Sequence, residues 1–178
     1  MRRRGGITIP PAPEIPGVEL TSLTAIPDDR GRFTEISRFA QVDPPFAQAN
    51  HSHSRRGVLR GLHYHVKQTD LFYVVKGVAQ IGLVDLRTRR DPPTSASVEL
   101  SDAQPATLLI PNGIAHGFLA LTDVDLVYLV TREYDPGDEQ GIAWDDPKLS
   151  IGWKIDAPLV SDRDASNPEL VWDQIPEF

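Results

Sequence analysis

The densest group of chemically capable side chains is Arg60-Gly61-Leu62-His63-Tyr64-His65, followed by Asp70 and Gly77. Side chains alternate along a strand, so His63 and His65 on one strand put both imidazoles on the same face, where they can enter one cavity. A second segment, Pro111-Asn112-Gly113-Ile114-Ala115-His116, sets another histidine just after a tight turn at the start of a strand. Histidine and carboxylate in this arrangement can act as proton-transfer groups near neutral pH or as ligands for a divalent metal ion. A lone histidine carries little meaning, since most are satisfied core or surface residues. His51 and His53 also alternate, but no carboxylate follows at ligand spacing, and His53 is read as a surface residue.

The elements that must position these residues are short strands. Leu71–Val75, Val78–Leu86, Ala96–Leu100, Ala106–Ile110, Gly117–Leu121 and Val124–Thr131 are strand-length, rich in β-branched and aromatic residues, and several alternate with period two. Lys76-Gly77, Asp91-Pro92-Pro93 and Pro111-Asn112-Gly113 supply turns between them. The pattern predicts an all-β sandwich or barrel. No stretch from 57 to 134 keeps a helical period, and Ser161 to Ala165 is the place for a short capped helical turn.

The 178 residues suit a single domain. Residues 1–17 hold Pro10-Pro11-Ala12-Pro13 and Pro16-Gly17 and read as an extended or mobile lead-in, leaving 18–178 as the domain. From about 132 the composition turns to Asp, Glu, Gly and Pro, with Trp144, Trp153 and Trp172 interspersed. Such a tail covers the sandwich, either closing a mouth with its tryptophans or anchoring itself to the core by them.

Composition excludes several function classes. Eighteen basic against 25 acidic side chains give a formal net charge of −7, so there is no general basic field for nucleic acid or an anionic membrane. The absence of cysteine removes disulfides, thiolate nucleophiles and cysteine–zinc sites. Apolar runs fall well short of the roughly 18 residues of a membrane span. Met1-Arg2-Arg3-Arg4 is followed by Gly5-Gly6-Ile7-Thr8-Ile9-Pro10 and not by an apolar signal core, which points to the cytoplasm.

The spacing Gly57-x5-His63-x-His65-x4-Asp70-x6-Gly77 resembles the first motif of the cupin superfamily, with Asp where Glu is usual, and Pro111-x-Gly113-x-x-His116 resembles the core of the second. That resemblance implies a cupin-type jelly-roll barrel, or double-stranded β-helix, with the site in its cavity. A narrower resemblance covers nearly all the chain after residue 17. Asp29–Glu35, Gln48–Ser52, Gly57–Tyr64, Val84–Arg87, Pro111–Phe118, Trp144–Pro147 and Ser161–Asp164 follow in the order of the dTDP-4-dehydrorhamnose 3,5-epimerase family of deoxysugar biosynthesis.

This resemblance implies an isomerase that removes and returns a proton alpha to the ketone of a dTDP-linked 4-keto-6-deoxyhexose of the rhamnose type. It implies no required cofactor, and a homodimer exchanging N-terminal strands. By the same resemblance His63 is the base, Asp164 its carboxylate partner and Tyr128 the acid on the opposite face. Arg60 meets the diphosphate with Gln48 and Asn50 alongside. Arg30, Phe33 and Glu35 surround the base of the neighbouring subunit's nucleotide, and His116 and Tyr134 lie near the phosphates or sugar.

Two positions depart from the family pattern. Aligned on Gly77, the family's enolate-stabilising lysine falls at Asp70, and the glutamine after the His-Tyr pair is His65. A carboxylate beside a developing oxyanion raises the barrier that an ammonium lowers. Both changes lead towards a metal set of His63, His65, Asp70 and His116, unless His65 and Asp70 simply form a hydrogen-bonded pair. The alternatives to the epimerase are therefore a metal-dependent cupin enzyme and a non-catalytic sugar-nucleotide binding protein. Retention of His63, Tyr128 and Asp164 together disfavours the binder, which needs no proton-transfer pair.

Overall fold

The computed structural model describes residues 14–39 and 44–178. Two five-stranded antiparallel sheets face each other. In chain order the strands are β1 (Glu19–Ser22), β2 (Ala25–Asp28), β3 (Gly31–Thr34), β4 (Gln48–Ser54), β5 (Leu59–His65), β6 (Asp70–Lys76), β7 (Val78–Asp85), β8 (Thr94–Ser101), β9 (Ala106–Ile110), β10 (Ile114–Ala120), β11 (Val124–Val130) and β12 (Glu139–Gly141). One sheet runs β1-β9-β6-β11-β4 and the other β12-β5-β10-β7-β8, with β2 and β3 forming a separate hairpin. This is the expected jelly roll, and the six strands read from apolar alternation are β6 to β11.

Strand β4 went unrecognised in the sequence because Gln-Ala-Asn-His-Ser-His-Ser is polar on both faces. One face lines a cavity through Gln48, Asn50 and Ser52, and the other shows His51 and His53 to solvent. Both histidines reach Asp125 of the neighbouring β11, at 3.0 and 2.9 Å. Their carboxylate partner lies across the sheet rather than along the sequence.

The interior is divided between two uses. Phe72 and Val74 of β6, Ile81 and Leu83 of β7, Val98 and Leu100 of β8, and Leu108 and Ile110 of β9 fill the side away from β4 and β12. Towards β4 and β5 the inward positions are mainly polar, and with Tyr128, Leu126 and Val130 of β11 they line a space that stays open. Apolar burial on the filled side, at roughly 25 cal/mol per Å², gives the sheets the rigidity on which the open side depends.

Of the lead-in, Glu14 onward is described, and Ile15 there and the adjoining Val18 are buried in the core. Residues 1–13, which carry most of the proposed mobile segment, lie outside the described residues. No helix among the described residues is long and apolar enough to cross a membrane. The expected helical turn is α1 (Asp162–Ala165), whose N-cap Ser161 accepts a hydrogen bond from the Asp164 backbone N–H.

The C-terminal segment answers the question its tryptophans raised. Trp144, Trp153 and Trp172 pack with Leu62, Tyr64, Val84, Leu86 and Ala115 on the outer face of the second sheet. They therefore do not close the cavity. The same segment contributes Tyr134, Asp135, Glu139, Ser161, Arg163 and Asp164 to the cavity wall, so its covering of the mouth is polar.

Candidate active site

The open side of the sandwich is a cavity of about 450 Å³. Gln48 and Asn50 enter from β4, Arg60, His63 and His65 from β5, Asp70 and Phe72 from β6, His116 from β10 and Tyr128 from β11. Tyr134 and Asp164 complete the set from the C-terminal segment. Alternation explains most of this, since Leu62 and Tyr64 pack outward beneath the tryptophans while His63 and His65 point in.

His63 Nε2 and Asp164 Oδ1 are 2.7 Å apart. A carboxylate only accepts, so Nε2 carries the hydrogen and Nδ1 holds the lone pair of a base. The second Asp164 oxygen accepts the Gly61 N–H at 3.0 Å. Burial works against ionising Asp164, but the His63 hydrogen bond, the Gly61 N–H and the nearby positive charge outweigh it and hold the carboxyl below its usual range.

Tyr128 stands in the opposite sheet from His63. Burial, reinforced by the charges of Asp70 and Glu139, raises its phenol, so it stays protonated and able to donate near neutrality. Arg60 is braced by Ser54 Oγ at 2.9 Å and His53 O at 3.3 Å. Gln48 Nε2 donates to Asn50 Oδ1 at 2.7 Å, and Gln48 Oε1 accepts the Tyr134 N–H at 3.0 Å. These amides therefore hold one another and the chain entering the C-terminal segment.

Deeper in the cavity, Asp70 Oδ2 lies 3.1 Å from His116 Nε2, and Asp70 Oδ1 accepts the Gln68 amide at 2.7 Å. Burial opposes the charged Asp70, but the His116 hydrogen bond and the charges of His116 and His65 keep its carboxyl low. Burial likewise opposes a charged His116, yet the hydrogen bond and charge of Asp70 push it above its ordinary value. His65 is lowered, mainly by burial. The His65–Asp70 hydrogen-bonded pair considered from sequence does not form. Their nearest approach is 4.0 Å, and His65 Nε2 instead faces the Gln68 amide at 3.1 Å.

Among the residues read as a metal set, His65, Asp70 and His116 present donor atoms all within 4.8 Å of one another. His63 stands apart, with its Nε2 turned to Asp164. Arg30, Phe33 and Glu35 are not brought to this cavity. Arg30 and Phe33 lie exposed on the β2–β3 hairpin, and Glu35, just beyond it, pairs with Arg38. Sequence reasoning missed Gln68, Glu139 and Arg163. Gln68 sits between two named residues, whereas Glu139 and its ion pair with Arg163 arise from the pairing of β12 with β5.

The sequence matches the dTDP-4-dehydrorhamnose 3,5-epimerase family over residues 12–171. It is 39% identical over 160 residues to a Neisseria gonorrhoeae dTDP-4-dehydrorhamnose 3,5-epimerase, covering 84% of this chain and 49% of that one. The chain thus spans about half the length of that relative. The fold is similar to dTDP-6-deoxy-D-glucose-3,5-epimerase from Legionella pneumophila in complex with dTDP-4-keto-L-rhamnose, with a TM-score of 0.81, 31% identity and 92% of each chain covered. It is also similar to ChmJ, a 3'-monoepimerase from Streptomyces bikiniensis in complex with dTDP-quinovose, with a TM-score of 0.80, 32% identity, and 88% of this chain and 85% of that one covered.

Proposed function

The chain belongs to the dTDP-4-dehydrorhamnose 3,5-epimerase family, and from that premise we propose that it epimerises a dTDP-linked 4-keto-6-deoxyhexose at carbon next to the ketone. The observation that carries this reading is the 2.7 Å His63–Asp164 pair on one wall of the cavity with Tyr128 on the other. A proton alpha to a ketone is weakly acidic, so its removal needs a positioned base. His63 takes it through Nδ1, Asp164 holds the tautomer and stabilises the resulting imidazolium, and Tyr128 returns a proton from the opposite face.

Arg60 grips the diphosphate, with Gln48 and Asn50 beside it, because a guanidinium matches anionic oxygen pairs. His116 and Tyr134, which also line the cavity, serve the phosphates or sugar. The proton transfers themselves use the protein's own acids and bases. The family relatives include both a 3,5-epimerase and a 3'-monoepimerase. Asp70 in place of the usual lysine supports action at a single carbon as the second reading.

We place the enzyme as a homodimer in the cytoplasm. Support for the dimer comes from the β2–β3 hairpin, which joins neither large sheet and leaves Ile26 and Phe33 exposed at 59% and 65%. A neighbouring subunit's nucleotide would cover Phe33, with Arg30 and Glu35 beside it. The test is incubation with dTDP-4-keto-6-deoxyglucose in deuterium oxide, followed by proton NMR. The expected result is loss of a ring-proton signal with wild type and none with His63→Ala; equal exchange in both defeats the reading.

A further inference from the structure

The proton-transfer set leaves unused a hydrogen-bonded network deep in the cavity. Its members His65 of β5, Asp70 of β6 and His116 of β10 are each more than nine-tenths buried. Asp70 organises it, because an ionised carboxylate only accepts hydrogen bonds. Asp70 Oδ2 lies 3.1 Å from His116 Nε2, so that nitrogen carries a hydrogen. His116 Nδ1 lies 2.9 Å from the Ile114 carbonyl, which also only accepts, so this nitrogen carries a hydrogen too. An imidazole with hydrogens on both nitrogens is a cation.

The same carboxylate settles the state of His65. Asp70 Oδ1 lies 2.7 Å from Gln68 Nε2, so the Gln68 amide turns its NH2 group into the network. The other amide hydrogen points to His65 Nε2 at 3.1 Å, and that nitrogen therefore presents a lone pair. His65 is thus neutral, with its hydrogen on Nδ1, 3.8 Å from Asp138 Oδ2. The two rings stand 5.9 Å apart, where a second imidazolium charge would be repelled. Burial works against charge on both rings. At His116 the hydrogen bond and charge of Asp70 overcome it and the group is raised, whereas His65 is lowered; Glu139 of β12 adds a further negative charge towards each.

We propose that Asp70 is a positioning residue that locks His116 as an imidazolium in the cavity wall, and that this fixed cation supplies the positive charge which a lysine at position 70 supplies in the family pattern. The charge is displaced from residue 70 by one hydrogen bond. His116 lines the cavity and stands directly opposite the base His63 on the neighbouring strand, so its charge lies beside the place where the enolate forms. Both of its ring hydrogens are already given to protein oxygens, so it acts on the sugar by charge and not by donating to it. The negative charge of Asp70 is meanwhile offset by the ring and by the Gln68 amide. A buried ion pair adds little stability that apolar side chains of the same volume would not, so the charge it holds at the cavity is the better account of it. Both departures from the family pattern then belong to one network, with His65 neutral beside the charged ring. The catalytic half rests on the epimerase reading; the charge state of His116 does not.

Nitrogen-15 NMR of the full chain labelled at histidine reads the charge state at about pH 8, where an unperturbed imidazole is neutral. The His116 ring is assigned by the signals that His116→Gln removes. Wild type should show both His116 nitrogens protonated and only one of His65; a single protonated nitrogen at His116 overturns the proposal. In the near-isosteric Asp70→Asn, His116 should lose one of its two hydrogens, and a ring that keeps both overturns the role of Asp70. Deuterium exchange into dTDP-4-keto-6-deoxyglucose at the same pH tests the catalytic half. Asp70→Asn should lower kcat at least about tenfold with KM within about a factor of two, and His116→Gln, which keeps polar groups without the charge, should show the same loss. An unchanged kcat in either variant overturns the catalytic half. Wild type that exchanges no deuterium defeats the epimerase reading, while the NMR spectrum still decides the charge of His116.

Discussion

Arg60 and His63 are three residues apart on β5, yet both side chains enter the cavity. On a regular strand an odd spacing puts two side chains on opposite faces. The neighbouring strand β10 pairs His116 with His63 and Phe118 with Arg60, so Gly61 and Leu62 of β5 are set against the single Gly117. This bulge reverses the alternation between the anion-binding and proton-transfer residues. The Gly61 N–H, at the bulge, turns to Asp164 instead of a strand partner.

The bulge depends on two glycines in contact. Gly61 has φ +118°, and a Cβ there would lie 2.7 Å from Gly117 Cα and 2.8 Å from the His116 carbonyl. Gly61→Ala should cost about 3 kcal/mol or more of unfolding free energy, from backbone strain and overlap. Urea denaturation checks this, and a loss below about 1 kcal/mol would show that the bulge tolerates a side chain.

The three proton-transfer residues should be separable by isotope exchange. His63→Ala should stop exchange at carbon, while Tyr128→Phe should keep exchange on the original face and lose inversion by about 100-fold or more. Asp164→Asn should fall between them, because the imidazole remains without the partner that fixes its tautomer. Proton NMR of substrate and product configuration reads all three.

The Asp164 carboxyl is held below its ordinary value, which gives stability a defined pH dependence. Its stabilising contribution is fully present above the unfolded carboxyl's usual pKa and is lost as pH falls through the lowered folded value. Wild type should exceed Asp164→Asn by about 1–3 kcal/mol at neutral pH, from hydrogen bonds to a charged group. Chemical denaturation across the acid range should show the gap closing as pH falls below about 4.

Arg60 is braced by Ser54 and exposed to the cavity, so its removal should act on binding and leave the fold intact. Arg60→Ala should weaken dTDP binding by at least about tenfold, or 1.4 kcal/mol. Isothermal titration with dTDP checks it, and an unchanged affinity would move the diphosphate elsewhere.

Trp153 packs on the outer face of the second sheet and donates its indole N–H to the Trp144 carbonyl at 3.0 Å. Trp153→Ala should lower stability by about 3 kcal/mol while dTDP affinity stays within a factor of two. A selective loss of nucleotide binding in a stably folded variant would restore the tryptophans as part of the mouth.

The strands rich in β-branched and aromatic residues are legible from the chain alone, including β6, β7 and β10, which are largely buried on both faces. Several of β6 to β11 alternate with period two and the others are short apolar runs between turn signals, features visible without coordinates. The family resemblance, carried by motif blocks in order, also implies His63, Asp164, Tyr128 and Arg60 as a group. Strand β4 escaped notice because a polar cavity and solvent select similar residues on its two faces. The resemblance already pairs His63 with Asp164, whereas the partners of the other histidines, Asp125 for His51 and His53 and Asp70 for His116, emerge from the packing of the sheets. The carboxylate of His63 comes from a helical turn 101 residues away, whereas His65 and His116 converge on Asp70 from separate strands. Such pairings depend on sheet register and on one extra residue at Gly61, and neither leaves a periodic trace in the chain.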